Sequence, residues 1–377
     1  MSETIELSTP DGTESERAVR LIDCDVHAQP TPPMLMPYLS TRARRYVERY
    51  GRRAPSEPHT YPRVRGGGVR LDAWPDKPGH WPGSDPEKLC SQLLDEWDVD
   101  YAVLEALTSL DCYDQPEVAV EFARATNDWV AEEWLDFDDR LRAAIVVPHD
   151  YAELAVAEIE RRATDPRFVA VLMPGSAQEQ LGSRRYWPVY EAASARRLPI
   201  AFHTGGFMRH HGAGPPSSYL AYHANISCVM QSQLASMVAS GMFAALPNVR
   251  VILTECGVSW VTSLRWSLDA AWELMGADHP QLERRPSEYI RDHVWFTTQP
   301  FEEPADPTHL LYAIEQAQLA DRLLFATDYP HWDFDSPAQA LPRAMSPELR
   351  SAILYGNALD LFGFPPFRSE PTPDQAP

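Results

Sequence analysis

The sequence predicts an α/β chain folded as a (β/α)8 TIM barrel with a long insertion after its first strand. Three observations predict it. Eight short apolar, β-branched runs are each followed by a longer stretch with helical periodicity. Most of the runs lack polar–apolar alternation, as expected of parallel strands buried on both faces. The 377 residues exceed the roughly 250 of a minimal barrel, and the surplus is concentrated in residues 28–98. A doubly wound open sheet is the competing architecture. The glycine-rich turn that usually follows its first strand is missing, because this first strand runs into Asp25-Val26-His27.

Taken in order, the first strand spans 20–26. The insertion 28–98 follows, rich in Arg and Pro and holding Gly66-Gly67-Gly68. It reads as an elaborated loop over the barrel mouth that ends in a helix over 86–97. Strands over 99–104, 141–147 and 168–173 alternate with helices over 117–135, 151–163 and 186–197. The fifth strand, 198–202, carries Pro199 at its start, the strand position where a missing N–H is tolerated. Helix 232–246, strand 249–254, helix 259–274, strand 294–298, helix 306–318, strand 322–327 and helix 346–354 complete the set. Residues 1–20 read as a flexible lead-in and 364–377 as a disordered, Pro-rich tail, so 21–363 form one domain.

Composition narrows the function. Lys+Arg number 33 against 54 Asp+Glu, a net charge of −21. A nucleic-acid binder or an anionic-membrane binder needs a basic face, so neither partner is expected. No apolar run reaches the about 18 residues of a membrane span, and residues 1–20 lack an apolar signal core. The five cysteines, Cys24, Cys90, Cys112, Cys228 and Cys256, are scattered with no C-x-x-C. That pattern suits a reducing cytoplasm and no thiolate zinc site.

Chemistry is sought at the C-terminal strand ends, which converge on one mouth in a barrel. Strand one ends Asp25-Val26-His27; alternation along a strand puts both side chains on one side, with Asp23 below. Strand five ends in His203, before Gly205-Gly206. Strand six ends in Glu255, a carboxylate that burial penalises unless it is paired, either to an Arg such as Arg265 or to a metal. Strand eight ends Asp328-Tyr329-Pro330-His331-Trp332-Asp333, where His331 can turn back over the mouth. Singly, each also fits an ordinary strand end or helix cap. Together, oxygen and imidazole ligands without thiolate suit one divalent ion, Zn²⁺ or Mn²⁺ with Fe²⁺ as a further option. His210-His211, His223 and Trp332 are further candidates for touching substrate.

These residues resemble the amidohydrolase superfamily, and within it the "amidohydrolase 2" branch related to aminocarboxymuconate-semialdehyde decarboxylase. The resemblance rests on Ile22-Asp23-Cys24-Asp25-Val26-His27, Phe202-His203, Thr327-Asp328-Tyr329-Pro330-His331 and Gly356-Asn357-Ala358. It spans roughly residues 20–363. It implies Asp25, His27, His203 and Asp328 as ligands of one divalent metal, with Asp328 also carrying a proton. Two positions depart from the family pattern. Asp25 replaces the first His of His-x-His, and Glu255 stands where a strand-six His commonly serves as acid/base. His331, His223 and Glu255 itself are the candidate replacements.

The resemblance implies an enzyme acting on a small molecule, and a homodimer or higher homo-oligomer. The first expectation is a metal-dependent decarboxylase of a small aromatic or unsaturated carboxylic acid, with Asp328 or His331 handling the proton. The alternative is a hydrolase of a small amide, ester, lactone or C–C bond using metal-activated water. A barrel that has lost catalysis and only binds a ligand is the third possibility.

Overall fold

The computed structural model describes residues 20–51, 68–108, 110, 113, 115–204, 218–365 and 367. Of the expected tails, 1–20 and 364–377, residues 1–19, 366 and 368–377 lie outside them, as do Gly205-Gly206, His210-His211 and Cys112, while Arg20, Phe364, Pro365 and Phe367 are described and Phe364 is buried.

Eight strands form one sheet. They are β1 (Ile22–Val26), β2 (Tyr101–Leu104), β3 (Leu141–Val146), β4 (Phe168–Pro174), β5 (Ile200–His203), β6 (Val251–Thr254), β7 (Val294–Thr297) and β8 (Leu323–Leu324). Every neighbouring pair is parallel, and the spatial order is the sequence order. A doubly wound sheet reverses its order at a switch point, so that alternative is excluded. All residues of β1, β2, β5, β6 and β7 are buried, which is why β2, β6 and β7 read as mainly apolar runs, while β1 and β5 bury Asp23, Asp25 and His203 as well.

The β8 ladder is only two residues long, shorter than the apolar run predicts. Beyond it the chain turns to other partners. Cys24 N–H donates to the Phe325 carbonyl at 2.9 Å, Asp328 N–H to Asp25 at 3.1 Å and His27 N–H to Tyr329 at 2.8 Å. Val26 and Tyr329 form a parallel bridge. These bonds join the last strand to the first and close the barrel.

Helices α1 (Pro32–Leu35), α2 (Thr41–Tyr50) and α3 (Pro86–Leu89) lie between β1 and β2. Strands and helices then alternate through α4 (Pro116–Trp129), α5 (Ala152–Arg162) and α6 (Trp187–Ala195). After β5 come α7 (Tyr219–His223), α8 (Ile226–Ala239) and α9 (Met242–Ala245). The single helix predicted over 232–246 is therefore two, broken where Gly241 takes a left-handed φ of 78°. Next come α10 (Ser259–Met275), α11 (Pro286–His293), α12 (Thr308–Ala317), α13 (Pro347–Ser351) and α14 (Asn357–Phe362). Neither α7 nor α11 is anticipated from periodicity. Each is eight residues or fewer, too short to display it.

The segment between β1 and β2 reaches the β8 loop. Val69 bridges His331, Arg70 N–H donates to the Pro330 carbonyl at 2.9 Å, and Trp332 N–H donates to Gly68 at 3.0 Å.

Candidate metal centre and active site

Four side chains from three strand ends meet at the mouth. One ligand atom from each of Asp25, His27, His203 and Asp328 lies within 4.8 Å of the other three, and all four residues are buried. His27 Nε2 is 2.6 Å from Asp328 Oδ1 and 3.4 Å from Asp25 Oδ1. His203 Nε2 is 3.8 Å from Asp25 Oδ1 and 3.4 Å from Glu255 Oε2.

Outer contacts fix the imidazoles. The Nδ1 of His27 faces the Glu105 carbonyl at 3.1 Å, and that of His203 faces the Thr204 carbonyl. A ring that donates from Nδ1 presents the Nε2 lone pair inward, the usual arrangement of a ligating histidine. Burial first, then the neighbouring His331 charge, pushes the His27 pKa down; burial, then His27, pushes that of His203 down to about 3. Both rings are therefore held neutral.

The carboxylates are arranged the opposite way. Burial, then repulsion from Glu105 and Asp328, raises Asp25 well above the ordinary range. Burial, then Asp328, does the same to Glu255 and lifts Glu105 to about 8. Burial also works to raise Asp328, but the His331 charge and the bonds from His27 and His331 override it and hold that carboxyl low. His331 is raised in return: burial opposes its charge and Asp328 restores it.

The donor set fits a divalent cation. Both carboxylate oxygens of Asp25, Nε2 of His203 and Oδ2 of Asp328 are buried without a hydrogen-bond partner. Unpaired buried polar atoms are costly, and here they converge. His27 Nε2 and Asp328 Oδ1 lie 2.6 Å apart, so a proton or a cation has to sit between them. Oxygen and imidazole donors suit manganese, iron or zinc.

Glu255 and Asp328 share an unusual backbone. Their φ values are 56° and 58°, left-handed for residues with a Cβ, a strain of about 1–3 kcal/mol that collects at functional sites. Arg265, a possible partner for Glu255, turns away to Ala317 and Gln318. Glu255 N–H instead donates to Thr297 Oγ1 at 3.0 Å. His331 Nδ1 lies 2.6 Å from Asp328 Oδ1, and its Nε2 lies 3.4 Å from Gln29 Nε2. His223 Nε2 is 2.8 Å from Asp333 Oδ2, and the Trp332 indole N–H donates to the Tyr219 hydroxyl at 2.7 Å. His210 lies outside the described residues.

Sequence reasoning missed Glu105. It follows the buried strand Tyr101–Leu104 as Glu255 follows Val251–Thr254, it is 1% exposed, and its Oε2 has no partner. The signal was a carboxylate directly after an apolar strand.

Residues 22–364 match the model of the family described as amidohydrolase. The gamma-resorcylate decarboxylase of Polaromonas sp. (strain JS666 / ATCC BAA-500) is 27% identical over 317 residues, covering 76% of this chain and 93% of that protein. The same-named enzyme of Rhodococcus jostii (strain RHA1) is 24% identical, covering 76% and 93%. A crystal structure of dihydroxybenzoic acid decarboxylase from Polaromonas sp. JS666, with bound manganese and the inhibitor 2-nitroresorcinol, superposes with a TM-score of 0.62 at 21% identity. It covers 91% of this chain and 97% of that one.

Proposed function

Because the chain belongs to the amidohydrolase family, we propose that it is a metal-dependent carboxy-lyase acting on a hydroxylated aromatic acid. The observation that carries this is the convergence of unpartnered Asp25, His203 and Asp328 atoms with His27 at the mouth. Relatives named for decarboxylating resorcylate and dihydroxybenzoate support the reaction, and manganese bound in one of them supports the ion.

Asp25, His27, His203 and Asp328 would hold the ion. When bound, it supplies Lewis acidity and positive charge to an anionic substrate. The chain's own residues do the rest. Loss of CO2 from a ring carbon needs one proton delivered to that carbon. Asp328 and His331, 2.6 Å apart, form the pair that holds and moves it, with His331 Nδ1 the donor end. Gln29 and the Val69 bridge keep His331 over the mouth. Glu255, held beside His203, stands in the place of the family's strand-six His and is the second candidate acid. His223 and Trp332 line the mouth beyond them. Residues 68–70 of the insertion would cover the mouth, supported by their contacts with residues 330–332.

The same proposal includes a homo-oligomer, supported by the family resemblance and testable by size-exclusion chromatography, and a reducing cytoplasm, supported by the scattered cysteines. The activity is tested by incubating manganese-loaded protein with 2,6-dihydroxybenzoate and following CO2. Release that is abolished by EDTA and restored by Mn²⁺ is the expected result. Binding without CO2 release overturns the reaction.

A further inference from the structure

One group at the mouth takes no part in the proposed metal centre or proton transfer. Tyr219 opens α7, and its hydroxyl accepts the Trp332 indole N–H at 2.7 Å. A phenol that accepts a bond retains its own proton to donate. Among the described residues, no hydrogen-bond acceptor meets that proton. Trp332, its bonding partner, directly follows His331, and the charges of Asp333, Glu255 and Asp328 all act on the phenol, so it shares the mouth with these carboxylates.

Two bonds hold it there. Besides Trp332 to Tyr219, His223 at the far end of α7 pairs with Asp333 at 2.8 Å. Both partners belong to the β8 loop, two residues or fewer beyond His331. The pairs latch α7 to that loop across the mouth. They also assemble an aromatic wall. Tyr219 and His223 stack with centroids 6.0 Å apart, His223 and Trp332 lie 5.5 Å apart, and Tyr219 meets Trp332 edge-on at 6.2 Å. Such a wall favours a flat ring over an open chain. Its one potential cation, His223, is already engaged by Asp333, so the substrate's carboxylate goes to the metal end and an uncharged part of the substrate meets the wall.

We propose that Tyr219 is a specificity-determining residue, whose hydroxyl donates to a ring oxygen of an aromatic acid packed against His223 and Trp332. It selects hydroxylated acids over the unsubstituted ring. This inference rests on the proposed substrate class and names the residue that reads it.

The test is calorimetric affinity of the manganese-loaded protein for two anions, 2,6-dihydroxybenzoate and benzoate. Wild type is expected to prefer the hydroxylated anion. Tyr219→Phe keeps the ring and is expected to weaken 2,6-dihydroxybenzoate about tenfold, the worth of one hydrogen bond, with benzoate unchanged within twofold. Trp332→Phe keeps an aromatic wall but removes the donor that orients the phenol. It is expected to shift the same ratio in the same direction, with metal content unaltered. Equal affinity of wild type for both anions, or an equal loss for both in Tyr219→Phe, overturns the assignment. Wild type that binds with the preference but releases no CO2 sinks the decarboxylase reaction and leaves Tyr219 standing. Failure to bind either anion overturns both.

Discussion

Asp328 carries several demands on one carboxylate. Its Oδ1 meets His27 and His331, each at 2.6 Å, its Oδ2 is left unpaired, and its backbone sits at φ 58°. Asparagine keeps the shape and removes the charge. Asp328→Asn is expected to leave the far-UV circular dichroism unchanged and lower CO2 release at least ~100-fold, the usual scale of a lost proton-transfer group. Glu105 gives a pH-dependent counterpart in the metal-free chain. Burial and then the Asp328 charge raise it from 4.5 to about 8. Between those values the folded state keeps a proton that the unfolded state has lost, so this group makes stability fall as pH rises from about 4.5 to about 8. Glu105→Gln removes the slope. With EDTA present, the variant is expected to melt above wild type at pH 8.5, with the gap closing toward pH 5. Asp25 and His27 were legible as an Asp-x-His pair at a strand end, and His203 because it ends an apolar run. Glu105 obeyed the same rule without a motif around it. Tyr219 could not be read, because five helical residues show no period and its partner Trp332 lies far away in sequence.

Elements owe their precision to corners that no local pattern announces. The turn from β6 into α10 is the clearest. Glu302 accepts the Val258 and Ser259 N–H groups at 3.1 Å and the Ser259 hydroxyl at 2.6 Å, capping the helix from a distant loop. The Trp260 indole N–H donates to the Cys256 carbonyl at 2.7 Å. Gly257 lies at φ 66°, and a Cβ there would meet Glu302 Oε1 at 2.6 Å. Gly79, at φ 81°, has nothing within 4 Å. Gly257→Ala is expected to cost about 1–3 kcal/mol. Gly79→Ala shares only the backbone strain and is expected to cost less, a ranking that parallel urea melts check. The strands were legible as a set because burial on both faces writes them as apolar runs. The extent of β8 was not, because Phe325, Ala326 and Thr327 trade ladder bonds for Cys24, Ile353, Thr298 and Asp23.

At the scale of the molecule, eight strand–helix units and the insertion were countable from the sequence. The long-range bonds joining β1 to the β8 segment were not, since they depend on which side chains face each other after closure. Asp23 sits on that join, taking the Thr327 hydroxyl at 2.6 Å. Three of the four candidate ligands, Asp25, His27 and Asp328, flank it, and His203 faces them from β5. Anything that binds only the folded state stabilises it, by about 2.7 kcal/mol at a hundredfold excess over its dissociation constant. Manganese at that excess is expected to raise the melting temperature by several degrees over the EDTA-treated chain, and Asp25→Ala to abolish the shift. The join has a further consequence. His27 and Asp328 are separated by 301 positions and touch, so an ion held between them laces the two margins of the sheet together. Stripped of it, the cylinder is expected to breathe along that one line, with the amides of His27 and Asp328 exchanging with deuterium before those of β3 and β4. Selecting variants of this chain for heat resistance would then enrich for tighter metal retention, without any assay of the reaction.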